Sequence, residues 1–192
     1  MKIYLDQDGV LADFDTYLLE RYGLKNDRVA YSTSHKEKTP VQMKLFNDIG
    51  KAMKDKGFFR NLPVMPGAHD LWKAAHRGKD KPYVLTALPG IGNDEEVKKD
   101  KRDWIHERMN EVHDDEFIAC MRSEKIKYAM SFTGYPRNMT RVPSVLVDDL
   151  PLNCDNWRSA GGYGILFENS KQAITALDEA HKYIYGEQVD VT

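Results

Sequence analysis

The chain has only two cysteines in 192 residues, Cys120 and Cys154. They support neither a disulfide framework nor a thiolate metal site, whose ligands come at short fixed spacings. Long apolar runs are missing as well, and nothing approaches the roughly 20 residues a membrane span needs. The first strand pattern begins directly after Met1 and leaves no room for a secretory leader, so a cytoplasmic location is expected. Charge of one sign is also lacking, since 28 Lys and Arg stand against 30 Asp and Glu for a net charge of −2. That balance offers no basic footprint for nucleic acid. None of the six histidines falls in an HExxH pattern, and there is no internal repeat or low-complexity segment. With 41% hydrophobic and 30% charged residues, the chain fits a soluble globular protein of one domain, with or without a small insertion.

What is present is an alternation of two periodicities. Short apolar runs recur at Ile3–Leu5, Tyr83–Leu85, Phe117–Ala119, Val145–Val147 and Gly164–Phe167. Between them lie segments with helical spacing. Val97, Trp104, Ile105, Met109 and Val112 form a stripe on one long helix, with Asp94, Glu95 and Glu96 in its first turn, where the helix dipole favours them. A helix carrying Leu71, Ala74 and Ala75 follows Pro66-Gly67. Ile174, Leu177 and Ile184 mark a C-terminal helix with Ser170 as its expected N-cap. Strands alternating with helices predict a parallel sheet covered on both faces. Residues 16–65 exceed a single crossover and read as helix and loop, with Tyr17, Leu18, Leu19 and Tyr22 opening one helix. Val41, Leu45, Ile49 and Met53 continue another, and Ser32–Lys38 is a polar loop. Residues 133–143, with Gly134, Pro136 and Pro143, read as a second irregular insertion, which holds the sequon Asn138-Met139-Thr140.

The chemistry concentrates at strand ends. The first strand runs into Asp6-Gln7-Asp8-Gly9, two carboxylates one residue apart before a glycine. In open α/β sheets, ligands bind outside the carboxyl ends of strands. Carboxylates there either hold a hard cation such as Mg²⁺ or divide nucleophilic and acid–base work. An EF-hand is excluded, because its fifth and twelfth positions are Val10 and Tyr17. Gly90-Ile91-Gly92 lacks the spacing of a dinucleotide fingerprint or a P-loop. A second strand ends on Thr86-Ala87, and a third on Asp148-Asp149. Between them, Ser123-Glu124-Lys125-Ile126-Lys127 opens a helix.

This order of Asp-x-Asp, Thr, Lys and Asp-Asp resembles the four motifs of the haloacid dehalogenase superfamily of phosphohydrolases, and the resemblance covers most of the chain. It implies a three-layer, Rossmann-like α/β core with a parallel sheet over residues 1–15 and 66–192, and a small helical cap over 16–65 inserted after the first strand. It also implies an aspartyl-phosphate mechanism. Asp6 is then the nucleophile, and Asp8 the acid–base that also offers its backbone carbonyl to the metal. Asp6, Asp148 and Asp149 serve Mg²⁺, Thr86 and the Ala87 N–H bind phosphate, and Lys125 or its rival Lys127 neutralises the phosphoryl group. Within the superfamily, Asp6–Phe14 and Gly57–Ala68 are similar to the 5'(3')-deoxyribonucleotidase family. That likeness implies a phosphate contact from Lys101, which precedes Trp104, and base stacking by Phe14. Apart from the resemblance, the run Lys98-Lys99-Asp100-Lys101-Arg102 reads mostly as an exposed mixed-charge face. The chain departs from the family's pattern at Ala87, where serine is frequent, and at Leu150-Pro151. The expected activity is Mg²⁺-dependent hydrolysis of a small-molecule nucleotide, a (deoxy)ribonucleoside monophosphate. Neither nucleic acid nor membrane is an expected partner, and a homodimer is left open. The alternatives are a phosphatase for a sugar phosphate or another small phosphomonoester, one acting on nucleic-acid ends, or a non-catalytic phosphate-binding domain.

Overall fold

The computed structural model describes residues 1–28, 37–76, 81–109, 111–133 and 140–186. In chain order the elements are β1 (Lys2–Leu5), α1 (Phe14–Tyr22), α2 (Pro40–Ala52), α3 (Ala68–Ala75), β2 (Lys81–Leu88), α4 (Asp94–Arg108) and β3 (Phe117–Met121). There follow β4 (Met130–Thr133), β5 (Thr140–Pro143), β6 (Val145–Asp148), α5 (Pro151–Ser159), β7 (Tyr163–Leu166) and α6 (Ser170–Tyr185). Five strands form one sheet in the order β3-β2-β1-β6-β7, and every neighbouring pair is parallel. The chain first builds outward from β1 through β2 to β3, then returns to its other side with β6 and β7. The order therefore reverses between β1 and β6, and a ligand crevice opens outside the strand ends at such a point.

Side-chain alternation along the strands divides the interior in two. Ile3, Leu5, Val84, Val145 and Val147 face the larger core, which Leu71 and Trp72 of α3, Trp104 and Ile105 of α4 and Ala173 and Leu177 of α6 complete. Tyr4, Leu85 and Leu146 face the opposite way, against Trp157 of α5 and Ala129. Helices on both faces make the predicted three-layer α/β architecture. Burying Trp104 and Trp157 is tolerated because each indole finds a carbonyl: Trp104 Nε1 donates to Leu62 at 2.7 Å, and Trp157 Nε1 donates to Ser144 at 2.9 Å.

All five predicted strands are present, although β2 extends to Leu88 and brings Thr86 inside the sheet. Other expectations are corrected. Met109 and Val112 are buried but lie beyond the end of α4. The N-cap of α6 is Asn169, whose side chain accepts from the Gln172 N–H, while the Ser170 hydroxyl donates to Pro66 instead. Val41 belongs to α2 but is 78% exposed, because the buried face of that helix is carried by Ile49 and Ala52. The insertion at 133–143 is not irregular at its flanks: β4 and β5 pair antiparallel, Met130 against Pro143. Residues 134–139, with most of the sequon, and residues 32–36 of the expected loop lie outside the described residues. The inserted helices α1 and α2 share the larger core through Phe14, Leu18, Ile49 and Ala52.

Candidate active site

The loop after β1 is wound tightly over Gln7, whose carbonyl accepts from the N–H groups of Leu11 and Ala12 at 2.9 and 2.8 Å. The Asp6 N–H donates to the Val147 carbonyl at 2.9 Å, which extends the β1–β6 ladder into the site. Gly9 has φ +81°, a left-handed conformation that L side chains rarely adopt. A Cβ there would stand 2.3 Å from Asp149 Oδ2, so only glycine leaves room for that carboxylate.

The parallel pairing of β1 with β6 gathers three carboxylates. Oxygen atoms of Asp6, Asp148 and Asp149, all buried, lie within 4.8 Å of one another. Lys125 joins two of them, its Nζ 2.9 Å from Asp6 Oδ2 and 2.7 Å from Asp148 Oδ2. Asp148 also accepts from Asn153 Nδ2 at 2.9 and 3.0 Å and from the Leu150 N–H at 3.0 Å. Arg28 Nε approaches Asp149 Oδ2 at 3.2 Å. Burial pushes Asp6 up to about 7; the Lys125 ammonium opposes the shift, while Asp148 and Asp8 add to it. Burial likewise holds Asp149 well above the usual carboxylate range, with Asp148 and Asp6 contributing. Burial alone would lower Lys125, but Asp148 and Asp6 outweigh it and the ammonium is held above its ordinary value.

A second pair, with its lysine buried and its carboxylate partly exposed, stands beside the first. Lys101 of α4 is fully buried, and its Nζ donates to Asp8 Oδ2 at 2.5 Å and to Thr86 Oγ1 at 2.7 Å. The same ammonium lies 4.7 Å from the Phe59 ring centroid, close enough for attraction to the ring face. Gln7 Nε2 fixes the backbone of α4 by donating to the Lys101 carbonyl at 3.1 Å. Lys101 is thus the exception within its mixed-charge run, and its ammonium is engaged by Asp8 and Thr86. It follows Val97 by four residues and precedes Ile105 by four, which sets it on the apolar stripe of α4.

These groups border a cavity of about 560 Å³. Asp6, Asp8, Asp149 and Ala87 lie at its polar end, and Phe14, Phe46, Met53, Phe59 and Ile91 are among its apolar walls. Thr86 is fully buried behind this lining, with its hydroxyl engaged by Lys101. Of the two rival lysines, only Lys125 reaches the carboxylates. Lys127 lies on the same 3₁₀ turn, Arg122–Tyr128, which replaces the expected helix, and it pairs with Glu124 at 2.6 Å with its side chain 66% exposed. Sequence reading missed Arg28, Gln7 and Asn153. Of these, Asn153 carried a signal: a polar residue in the first turn of a helix opened by Pro151, five residues after Asp148.

The residues suit a hard divalent cation. All the donors are carboxylate oxygens, and Asp8 Oδ1 is buried with no hydrogen-bond partner. With every carboxylate ionised, the ion pairs of the site set five of them, Asp6, Asp8, Asp15, Asp148 and Asp149, against three cations, Lys101, Lys125 and Arg28. A dication balances that excess.

No protein-family model matches the chain, and no curated protein matches it significantly. Among solved structures, it is similar to a hydrolase from Streptococcus pneumoniae TIGR4, with TM-score 0.51 and 17% identity over 92% of this chain and 97% of that one. The likeness is one of fold. A haloacid dehalogenase-like hydrolase from Streptococcus pneumoniae (TM-score 0.46, 11% identity, 91% and 89% coverage) and a hydrolase from Pseudomonas syringae (TM-score 0.46, 14% identity, 94% and 90%) are more distant.

Proposed function

We propose that the chain is a Mg²⁺-dependent phosphomonoesterase of the haloacid dehalogenase type, acting through an aspartyl-phosphate on (deoxy)ribonucleoside monophosphates. The observation that carries this reading is the ion-paired array at the sheet's carboxyl end. Lys125 joins Asp6 to Asp148, and Lys101 joins Asp8 to Thr86, beside one cavity.

Asp6 is the nucleophile. A carboxylate oxygen attacks phosphorus, the ester P–O bond breaks, and the departing alkoxide takes a proton from Asp8. Water then attacks the aspartyl-phosphate, returning its proton to Asp8 and releasing inorganic phosphate. Microscopic reversibility suits one residue to both proton transfers. Lys125 offsets charge on the phosphoryl group, since stabilising that charge is most of what such a transfer asks of a protein. Thr86 and Lys101 hold Asp8 in register, and Ala87 lies on the cavity wall where the phosphate would sit. Asp6, Asp148 and Asp149 would hold Mg²⁺, which supplies positive charge that keeps Asp6 ionised and draws charge from the phosphoryl oxygens.

The apolar walls favour a nucleotide over a sugar phosphate. Phe14, Phe46 and Phe59 give the cavity wall an aromatic lining that suits an apolar base, whereas a sugar needs a dense set of hydroxyl partners. The test is phosphate release from deoxy- and ribonucleoside monophosphates and sugar phosphates, with and without Mg²⁺, in the wild type and Asp6→Asn. Metal-dependent turnover preferring nucleotides and lost in the variant is the expected result. Turnover confined to sugar phosphates would reject the nucleotide, and full activity in Asp6→Asn would reject the mechanism.

A further inference from the structure

The catalytic carboxylates come from the sheet, yet one cation touching them does not. Arg28 is delivered by the inserted segment that follows α1. Its Nη2 lies 2.8 Å from Asp15 Oδ2 on α1, and its Nε lies 3.2 Å from Asp149 Oδ2. Asn26 Nδ2 donates to the other oxygen of Asp15 at 2.7 Å, so both of its carboxylate oxygens are engaged. The neighbouring residue Asp27 accepts from Gln42 of α2 at 3.5 Å. The guanidinium is thus anchored on the inserted helices and extended toward a carboxylate whose side chain is only 8% exposed.

Asp149 Oδ2 meets Arg28 on one side and the bare Cα of Gly9 on another. The Oδ2 atoms of the other two acids face Lys125, which pairs with Asp6 and Asp148. Arg28 is therefore the cation that balances Asp149 among the described residues. A divalent ion held by Asp6, Asp148 and Asp149 would draw on the same negative charge. Two cations that share one carboxylate oppose each other, and the opposition is reciprocal.

We infer that Arg28 is a positioning residue of the catalytic centre, which reaches Asp149 from the inserted segment and sets the affinity of the cation site by competing for the charge of Asp149. The inference rests on the reading of the three carboxylates as a Mg²⁺ site. It gives Asp15 a definite part, since by neutralising half of the Arg28 contact it limits the competition.

The test is the Mg²⁺ dissociation constant measured by calorimetry on the full chain without substrate. Arg28→Gln removes the competing charge and keeps a polar group, so Mg²⁺ binds about three- to tenfold tighter, the range expected when one charge is removed at partly screened distance. Asp15→Asn unmasks Arg28 and weakens Mg²⁺ by about two- to fivefold, and because Asp15 also acts on Asp149 directly, the weakening counts for Arg28 only as far as it shrinks in the Asp15→Asn, Arg28→Gln double variant. Asp15→Asn alone leaves Arg28 in place and serves if Arg28→Gln fails to fold. Unchanged or weaker binding in Arg28→Gln, or unchanged binding in Asp15→Asn, overturns the role given to Arg28 while leaving the cation site standing. A wild type that binds no Mg²⁺ overturns both.

Discussion

Lys101→Met tests whether the buried Lys101–Asp8–Thr86 contact organises the site. Methionine keeps the length and apolar stem of lysine and removes the ammonium. In the wild type that ammonium is fully buried, 2.5 Å from Asp8 and 2.7 Å from Thr86. Removing one member of a fully buried pair costs about 3–5 kcal/mol. The Asp8 side chain is 25% exposed and water reaches it in part, so a loss of about 2–3 kcal/mol is expected. For a chain of this size that lowers Tm by roughly 5–10 °C. Urea denaturation of Lys101→Met, Asp8→Asn and the double variant gives a cycle, in which a coupling of about 1–2 kcal/mol is expected. Turnover falls with it by about 10²–10³, the usual consequence of losing one preorganised charge. A stability loss below about 0.5 kcal/mol with no coupling, as for a lysine on a solvated helix face, would refute the reasoning.

Further expectations follow from the same geometry. Lys125→Met abolishes measurable turnover, whereas Lys127→Ala stays within about twofold of the wild type; equal losses in the two would remove the distinction drawn between them. Gly9→Ala forces a side chain into a left-handed backbone and against Asp149, costing about 1–3 kcal/mol, and calorimetry should show weakened Mg²⁺ binding; unchanged affinity would mean that Asp149 is dispensable to the ion. Asp6 is raised from 3.8 to about 7 by burial, so its contribution to the stability of the metal-free protein is full below the unfolded value and is lost as pH rises through the folded one. Protons and Mg²⁺ therefore compete for the same group, and the rise in Tm on adding Mg²⁺ should be larger at pH 8 than at pH 5.5 in scanning calorimetry. An equal rise at both would contradict this linkage.

The sheet was legible because its signal is local. Each of the five strands is a short apolar run between helical periodicities, and the parallel pairing follows from that alternation. Asp6, Asp8, Asp148 and Asp149 were legible for a related reason: a strand that ends on carboxylates leaves them at the edge where crevices form. What stayed hidden depends on partners distant in sequence. Lys101 sits inside a run of charges, and its burial is decided by Asp8 and Thr86 on other elements. Arg28 is one charge in a polar loop until the fold carries it to Asp149. Capping was misread by a single residue at Asn169-Ser170, where two residue types with the same propensity stand side by side and a contact from Ser170 to Pro66 separates them. The exposure of Val41 shows the complementary limit: helical spacing identifies a stripe but not how far along it the neighbouring structure extends.

The position of β1 bears on how the protein comes to be active. It is first in chain order and central in the sheet, flanked by β2 on one side and by β6 on the other. During synthesis β1 emerges before both of its neighbours, and the second of them, β6, follows about 140 residues later. At ordinary elongation rates that interval is on the order of 10 s. Asp6 meets Asp148 only when β6 docks, so a nascent chain can carry a folded β1–β2–β3 half and still lack the three-carboxylate cluster. The carboxylate cluster is then completed in one late step rather than by degrees, and on the proposed function a ribosome-bound chain stalled before β6 should be inert whatever structure it already holds.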